Sequence, residues 1–150
     1  MSSHPDLAVF GSGAWGTALA MAWGRQGARV ALWGHPAEAV RELAETRQHP
    51  RLPGAELPLT VTPVADPALA FQAPIWISAL PTQVSPEVWR RLADTATTRP
   101  ELMIHVSKGI LQEGHRRLSE ALGPILGIPI GVLSGPSFAD EVAIDLPAAV

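Results

Sequence analysis

An apolar run of strand length, Leu7–Phe10, breaks into Gly11-Ser12-Gly13-Ala14-Trp15-Gly16 and then into an alanine-rich helical stretch. This turn limits the folds open to the chain more than any other feature. In a G-x-G-x-x-G spacing the first glycine permits a tight turn, the second lets backbone approach a bound diphosphate, and the third lets the helix pack close to the strand. The amide N–H groups at the start of that helix have no partner within it, and the positive end of the helix dipole lies beside them. The spacing alone is common; a strand before it and a helix after it make it a dinucleotide signal. Gly11, Ser12, Gly13 and Gly16 are therefore candidate cofactor-binding residues. Ala18, Ala20 and Ala22 keep the helix thin where it must lie against a sheet.

The rest of the chain repeats this alternation of short apolar runs and amphipathic stretches. Helical periodicity runs from Trp15 to Gln26, over Pro36–Gln48, near Ser85–Thr95 and over Gly114–Leu122, with a further helical pattern after Pro136. Strands are expected at Ala28–Trp33, Leu59–Thr62, Pro74–Leu80, Leu102–Val106 and Ile130–Leu133. Asp66 reads as the cap of a brief helix at Pro67–Phe71, and the Pro-rich His49–Pro58 segment reads as a connection. Strands alternating with helices imply right-handed crossovers and a mostly parallel sheet covered on both faces. The expected fold is a doubly wound α/β domain of Rossmann type. The apolar ending Leu146-Pro147-Ala148-Ala149-Val150 reads as a strand cut as it begins, so residues 1–150 are expected to be one cofactor-binding domain of a longer protein.

Composition narrows the classes of function. With 150 residues, 47% hydrophobic and 17% charged, the chain can bury a core of its own. A net charge of -3 gives no reason to expect nucleic acid as a partner. The absence of cysteine removes disulfides and thiolate metal sites, and His4, His49, His105 and His115 show no ligand spacing, so no metal is expected. No apolar run approaches the ~20 residues of a membrane span, and Met1-Ser2-Ser3-His4-Pro5-Asp6 lacks the pattern of a signal peptide. A cytoplasmic protein is expected.

Three further positions bear on chemistry. A carboxylate that would hold a ribose 2′-hydroxyl is expected about 20 residues past the glycine turn. The chain has Trp33-Gly34-His35 there, which leaves NAD and NADP both open and His35 either an adenosine contact or a solvated loop residue. Lys108 is the one lysine among 11 basic residues. It follows the strand Leu102–Val106, at the carboxyl edge where ligands of open α/β sheets bind. An ammonium there can polarise a carbonyl and offset charge as an alkoxide develops. Ser134-Gly135-Pro136-Ser137 combines a sharp strand exit with a hydroxyl near a helix start; from the residues alone a helix cap is the favoured reading. Arg90, Arg91, Arg116 and Arg117 read as solvated helix faces, and Trp23 and Trp33 as packing residues.

Five blocks in order, Gly11–Ala20, Val30–His35, Leu52-Pro53-Gly54, Val106-Ser107-Lys108-Gly109-Ile110 and Leu133-Ser134-Gly135-Pro136-Ser137-Phe138-Ala139, resemble the N-terminal half of NAD(P)-dependent glycerol-3-phosphate dehydrogenases. The resemblance implies hydride transfer between a nicotinamide cofactor and the C2 position of dihydroxyacetone phosphate or sn-glycerol 3-phosphate, in service of phospholipid synthesis. It implies cofactor contacts at Ala14, Trp15, His35 and Ala139, a cofactor and substrate contact at Lys108, and substrate contacts at Gly135 and Ser137. A C-terminal helical domain, with a second lysine and most of the substrate phosphate contacts, is absent from these residues, so the chain alone is expected to bind cofactor weakly without turnover. In the full-length protein a homodimer is expected. A related two-domain dehydrogenase acting on another hydroxy acid, and a stand-alone NAD(P)-binding sensor, are the alternative readings.

Overall fold

The computed structural model describes residues 4–150; Met1, Ser2 and Ser3, which belong to the leader reading, lie outside the described residues. Six strands, β1 (Leu7–Phe10), β2 (Val30–Trp33), β3 (Val61–Val64), β4 (Ile75–Ser78), β5 (Leu102–His105) and β6 (Ile130–Val132), form one parallel sheet in the order β3-β2-β1-β4-β5-β6. Five helices accompany them: α1 (Ala14–Arg25), α2 (Ala37–Thr46), α3 (Ser85–Thr95), α4 (Leu118–Leu126) and α5 (Ala139–Ala143). This is the doubly wound order of the Rossmann fold, and its direction of winding reverses between β1 and β4. Among the described residues no helix is long and apolar enough to cross a membrane.

Strand residues alternate between two cores, as a pleated sheet covered on both faces requires. Ala8, Phe10, Trp76 and Met103 face α3 and α4, where Trp89, Leu92, Leu118 and Leu122 are buried against them. Val9, Leu32 and Ile77 face the opposite way, toward Ala18 and Met21 of α1, Leu43 of α2 and Val142 of α5. Phe10 centres an aromatic group, with ring centroids 4.7 Å from Trp89, 5.4 Å from Trp76 and 5.8 Å from Phe71. The residue that ends β1 just before the glycine turn is thus the most heavily packed ring in the molecule's first core.

Three elements depart from the sequence pattern. The expected strand at Leu59–Thr62 forms two residues later: Leu59 is 94% exposed, whereas Val61 is buried and pairs with Val30. Pro63 fits because β3 is an edge strand and its missing N–H leaves no gap in an inner ladder. The expected helix Gly114–Leu122 starts at Leu118, because Gly114 and His115 both take positive φ (70° and 51°) and no helix can run through them. The Glu120 carboxylate accepts the Arg117 backbone N–H at 3.1 Å to open α4. Pro124 sits in its last turn, and Gly127 (φ 70°) closes it by donating to the Gly123 carbonyl at 2.7 Å. The brief helix at Pro67–Phe71 is a single 3-10 turn at Ala70–Gln72, although Asp66 does accept the Ala68 N–H at 2.9 Å as expected.

Two buried polar groups give tests of this packing. The Trp89 indole N–H donates to Ser78 Oγ at 2.8 Å in the first core. Ser78→Ala strands that N–H and is expected to cost about 1–3 kcal/mol in a denaturant titration. His105, 5% exposed on β5, has no hydrogen-bond partner at Nδ1, and burial lowers its pKa from 6.5. Below pH 6.5 the unfolded chain takes up a proton there that the native state refuses, so stability falls as the pH drops through that value. His105→Asn is expected to flatten this slope, read as the denaturation midpoint against pH.

Candidate functional site

The carboxyl ends of β1 and β4 part where the winding reverses, and a cleft of about 1030 Å³ opens above them. Its floor is the glycine turn. Gly11 has φ +122°, and a Cβ added to it would stand 2.6 Å from the Ala79 carbonyl oxygen at the end of β4. A Cβ on Gly16 would stand 2.0 Å from the Gly11 carbonyl oxygen. Both glycines are demanded by backbone packed on backbone. Gly13 differs. Its φ of −70° suits any residue, and the nearest atom to an added Cβ is the Arg51 Nη2 at 3.5 Å. The protein itself does not require a glycine there; a group lying in the cleft would.

The first turn of α1 carries no acidic residue and Gly13 supplies no side-chain cap, so its leading amides point into the cleft without a side-chain partner. Thr17 Oγ1 and His49 Nε2 both bond the Ser12 carbonyl at 3.2 Å and hold the turn from behind. The Arg51 N–H donates to His49 Nδ1 at 3.2 Å, which puts the ring proton on Nε2. Burial chiefly, and the Arg51 charge in addition, lower the His49 pKa against the opposing pull of the Ser12 carbonyl. The neutral form this geometry needs is therefore the favoured one.

The cleft's other walls come from β2, β4, β5 and α5. Trp33, Gly34 and His35 line it at the end of β2, with no carboxylate among them. Ala79, Leu80, Pro81 and Thr82 line it at the end of β4. Beyond β5, the Lys108 ammonium donates to the Ser137 carbonyl at 3.2 Å and lies 6.0 Å from the Trp15 ring centroid. The Trp15 indole donates to the Val106 carbonyl at 3.2 Å. Thr82 Oγ1 donates to the Lys108 carbonyl at 2.7 Å and Ser107 Oγ to the Leu80 carbonyl at 2.5 Å, so the loops after β4 and β5 brace each other. At the far end of α1, Arg25 donates to the Val142 and Ala143 carbonyls at 2.7 and 2.9 Å. A cation at the last carbonyls of α5 complements that helix's dipole and fixes the wall that Ser137, Phe138 and Ala139 form.

Gly11, Ser12, Gly13, Ala14, Trp15, Gly16, His35, Lys108, Ser137 and Ala139 all line this one cleft. Gly135 does not line it; an added Cβ there would meet the Ala149 carbonyl at 2.3 Å, so its small size serves the chain's own packing. The helix cap expected of Ser137 is not formed: α5 begins at Ala139 behind Phe138, and Ser137 Oγ is 3.4 Å from the Gly135 carbonyl. Arg91 and Trp33, read as a solvated face and a packing residue, both reach the cleft. Arg51 and the residues after β4 carry no local motif; only the adjacency of β1 and β4 brings the latter in. Arg51, Arg91 and Lys108 line the cleft and no Asp or Glu does, although the whole chain has 14 acidic residues against 11 basic ones.

A family profile described as NAD-dependent glycerol-3-phosphate dehydrogenase N-terminus matches residues 6–150. The chain is 40% identical over 151 residues to glycerol-3-phosphate dehydrogenase (NAD(P)+) of Bradyrhizobium diazoefficiens, covering 100% of this chain and 46% of that protein. It is 41% identical over 155 residues to the protein of the same name from Acidiphilium cryptum, covering 99% and 44%. The crystal structure of glycerol-3-phosphate dehydrogenase from Coxiella burnetii superposes with a TM-score of 0.84 at 33% identity, over 97% of this chain and 45% of that one. The chain thus spans less than half the length of these relatives.

The three glycines are separable by stability. Gly11→Ala and Gly16→Ala are each expected to cost about 3 kcal/mol or more in a denaturant titration, from positive φ in one case and backbone collision in both. Gly13→Ala is expected to stay within about 1 kcal/mol of the unaltered chain, since a weaker helix cap and a less flexible unfolded chain oppose each other.

Proposed function

The chain belongs to the NAD-dependent glycerol-3-phosphate dehydrogenase N-terminal family, and on that premise we propose that it is the cofactor-binding part of an oxidoreductase that interconverts dihydroxyacetone phosphate and sn-glycerol 3-phosphate with NAD(P)H or NAD(P)+. Gly13 carries this reading: it is a glycine that the fold does not need, at the mouth of a helix whose amides are free, in a cleft lined by cations. A dinucleotide's diphosphate uses that bare backbone and those amides.

When bound, the nicotinamide supplies or accepts the hydride at substrate C2. The protein's own groups bind and orient. The amides from Ala14 onward would hold the diphosphate, Trp15 and Ala139 both line the cleft, and His35 lies at the end of β2 where the adenosine ribose is expected. Lys108, held beside Ser137, presents its ammonium to the substrate oxygen, where it polarises the carbonyl and stabilises charge as it becomes an alkoxide. Ser137, and Gly135 through the backbone it shapes, are the proposed substrate contacts. The group that exchanges the alcohol proton, and most contacts to the substrate phosphate, are assigned to the part of the relatives' length outside these 150 residues. The chain alone then binds cofactor weakly and does not turn over. Cytoplasmic location, a homodimeric full-length protein and a supply role in phospholipid synthesis complete the proposal.

Two measurements test it. NADH titrated into the chain is expected to quench tryptophan fluorescence, because Trp15 lines the cleft, and Gly13→Val is expected to abolish that response while the thermal midpoint holds. In the full-length polypeptide Lys108→Ala is expected to lower kcat for dihydroxyacetone phosphate by about 100-fold or more, followed by nicotinamide absorbance. Near-normal turnover removes Lys108 from the reaction.

A further inference from the structure

We propose that Arg51 is a diphosphate-binding residue of the cleft, supplying the cation that the helix N-terminus lacks. The inference rests on the dinucleotide reading of the cleft and adds to it a residue from a connecting loop. The Arg51 Nη2 is the nearest atom, at 3.5 Å, to the place where a Cβ on Gly13 would stand. An anion that lies against the bare backbone of Gly13 therefore lies beside this guanidinium. Arg51 is exposed, and among the described residues its guanidinium makes no ion pair, whereas Arg91, the other arginine lining the cleft, is held by Glu87.

The backbone under Arg51 is fixed to the turn it serves. His49 Nε2 donates to the Ser12 carbonyl while its Nδ1 accepts the Arg51 N–H. Leu52, the next residue, is 2% exposed in the second core, and the loop is closed by an antiparallel bridge between Gln48 and Glu56. An arginine whose main chain is pinned to the phosphate turn, with its head over the second glycine and no carboxylate to neutralise it, is pre-organised for an anion at that glycine. The guanidinium stands beside the second glycine, where the diphosphate of a bound dinucleotide is expected.

The test is isothermal titration of the 150-residue chain and of Arg51→Ala and Arg51→Lys with NADH, NADPH and ADP, the last being a diphosphate without nicotinamide or 2′-phosphate. Arg51→Ala is expected to weaken all three ligands by one common factor of about ten or more. Arg51→Lys is expected to recover part of it, and raised salt to narrow the gap between the unaltered chain and Arg51→Ala. Thermal midpoints are expected to coincide, because the side chain has no structural partner to lose. Equal affinity of Arg51→Ala and the unaltered chain overturns the inference and leaves the dinucleotide reading standing. A loss confined to NADPH overturns it too, by moving the cation to the 2′-phosphate. Failure of the unaltered chain to bind any of the three removes both.

Discussion

The structure turns on a contact in which nothing but hydrogen separates two stretches of backbone. Gly16 in the first turn of α1 lies against the Gly11 carbonyl, and Gly11 lies against Ala79 at the end of β4. Because neither glycine has a side chain, the helix can start directly over the sheet at the point where the winding reverses. A cleft then opens between the ends of β1 and β4, and the helix's unpaired amides face into it. Phe10, one residue before the turn, is gripped by Trp76 and Trp89 beneath. The aromatic core therefore holds the floor of the site at a fixed height.

Electrostatics follow from this placement and not from the composition. The chain is net acidic, yet the residues brought to the cleft include three long cations and no carboxylate. The cations come from three separate elements: the loop after α2, helix α3 and the loop after β5. Glu87 pairs with Arg91, as Asp6 does with Arg29 and Glu120 with Arg117, whereas among the described residues Arg51 and Lys108 make no ion pair. Segregation of this kind favours an anionic ligand at one place without giving the surface a general affinity for polyanions.

Much of the architecture was legible because it is written in local periodicity. β1 and α3 lie where the apolar pattern puts them, and the glycine turn announced both the sheet and the cleft. The failures are equally local. Gly114 and His115 belong to an amphipathic pattern that promises a helix, but their positive φ forbids one, and the helix starts only at Leu118. Leu59 looked like a strand residue, and the edge of the sheet left it in solvent. Ser137 carried the signature of a helix cap, while the chain runs on to Ala139 before the helix starts.

By itself the sequence determined the fold class, the position of the glycine turn, and the singular lysine at the end of a strand, because each depends on residues close together in the chain. Tertiary structure supplied the contacts behind the three glycine roles read from the spacing: Ala79 and the turn's own carbonyl are packed against Gly11 and Gly16, and only the Arg51 side chain comes near Gly13. It also decided that Arg51, Thr82 and Ser137 share a cleft with Lys108. Those residues meet only when parallel strands from distant parts of the chain end side by side, and no spacing along the sequence records that meeting.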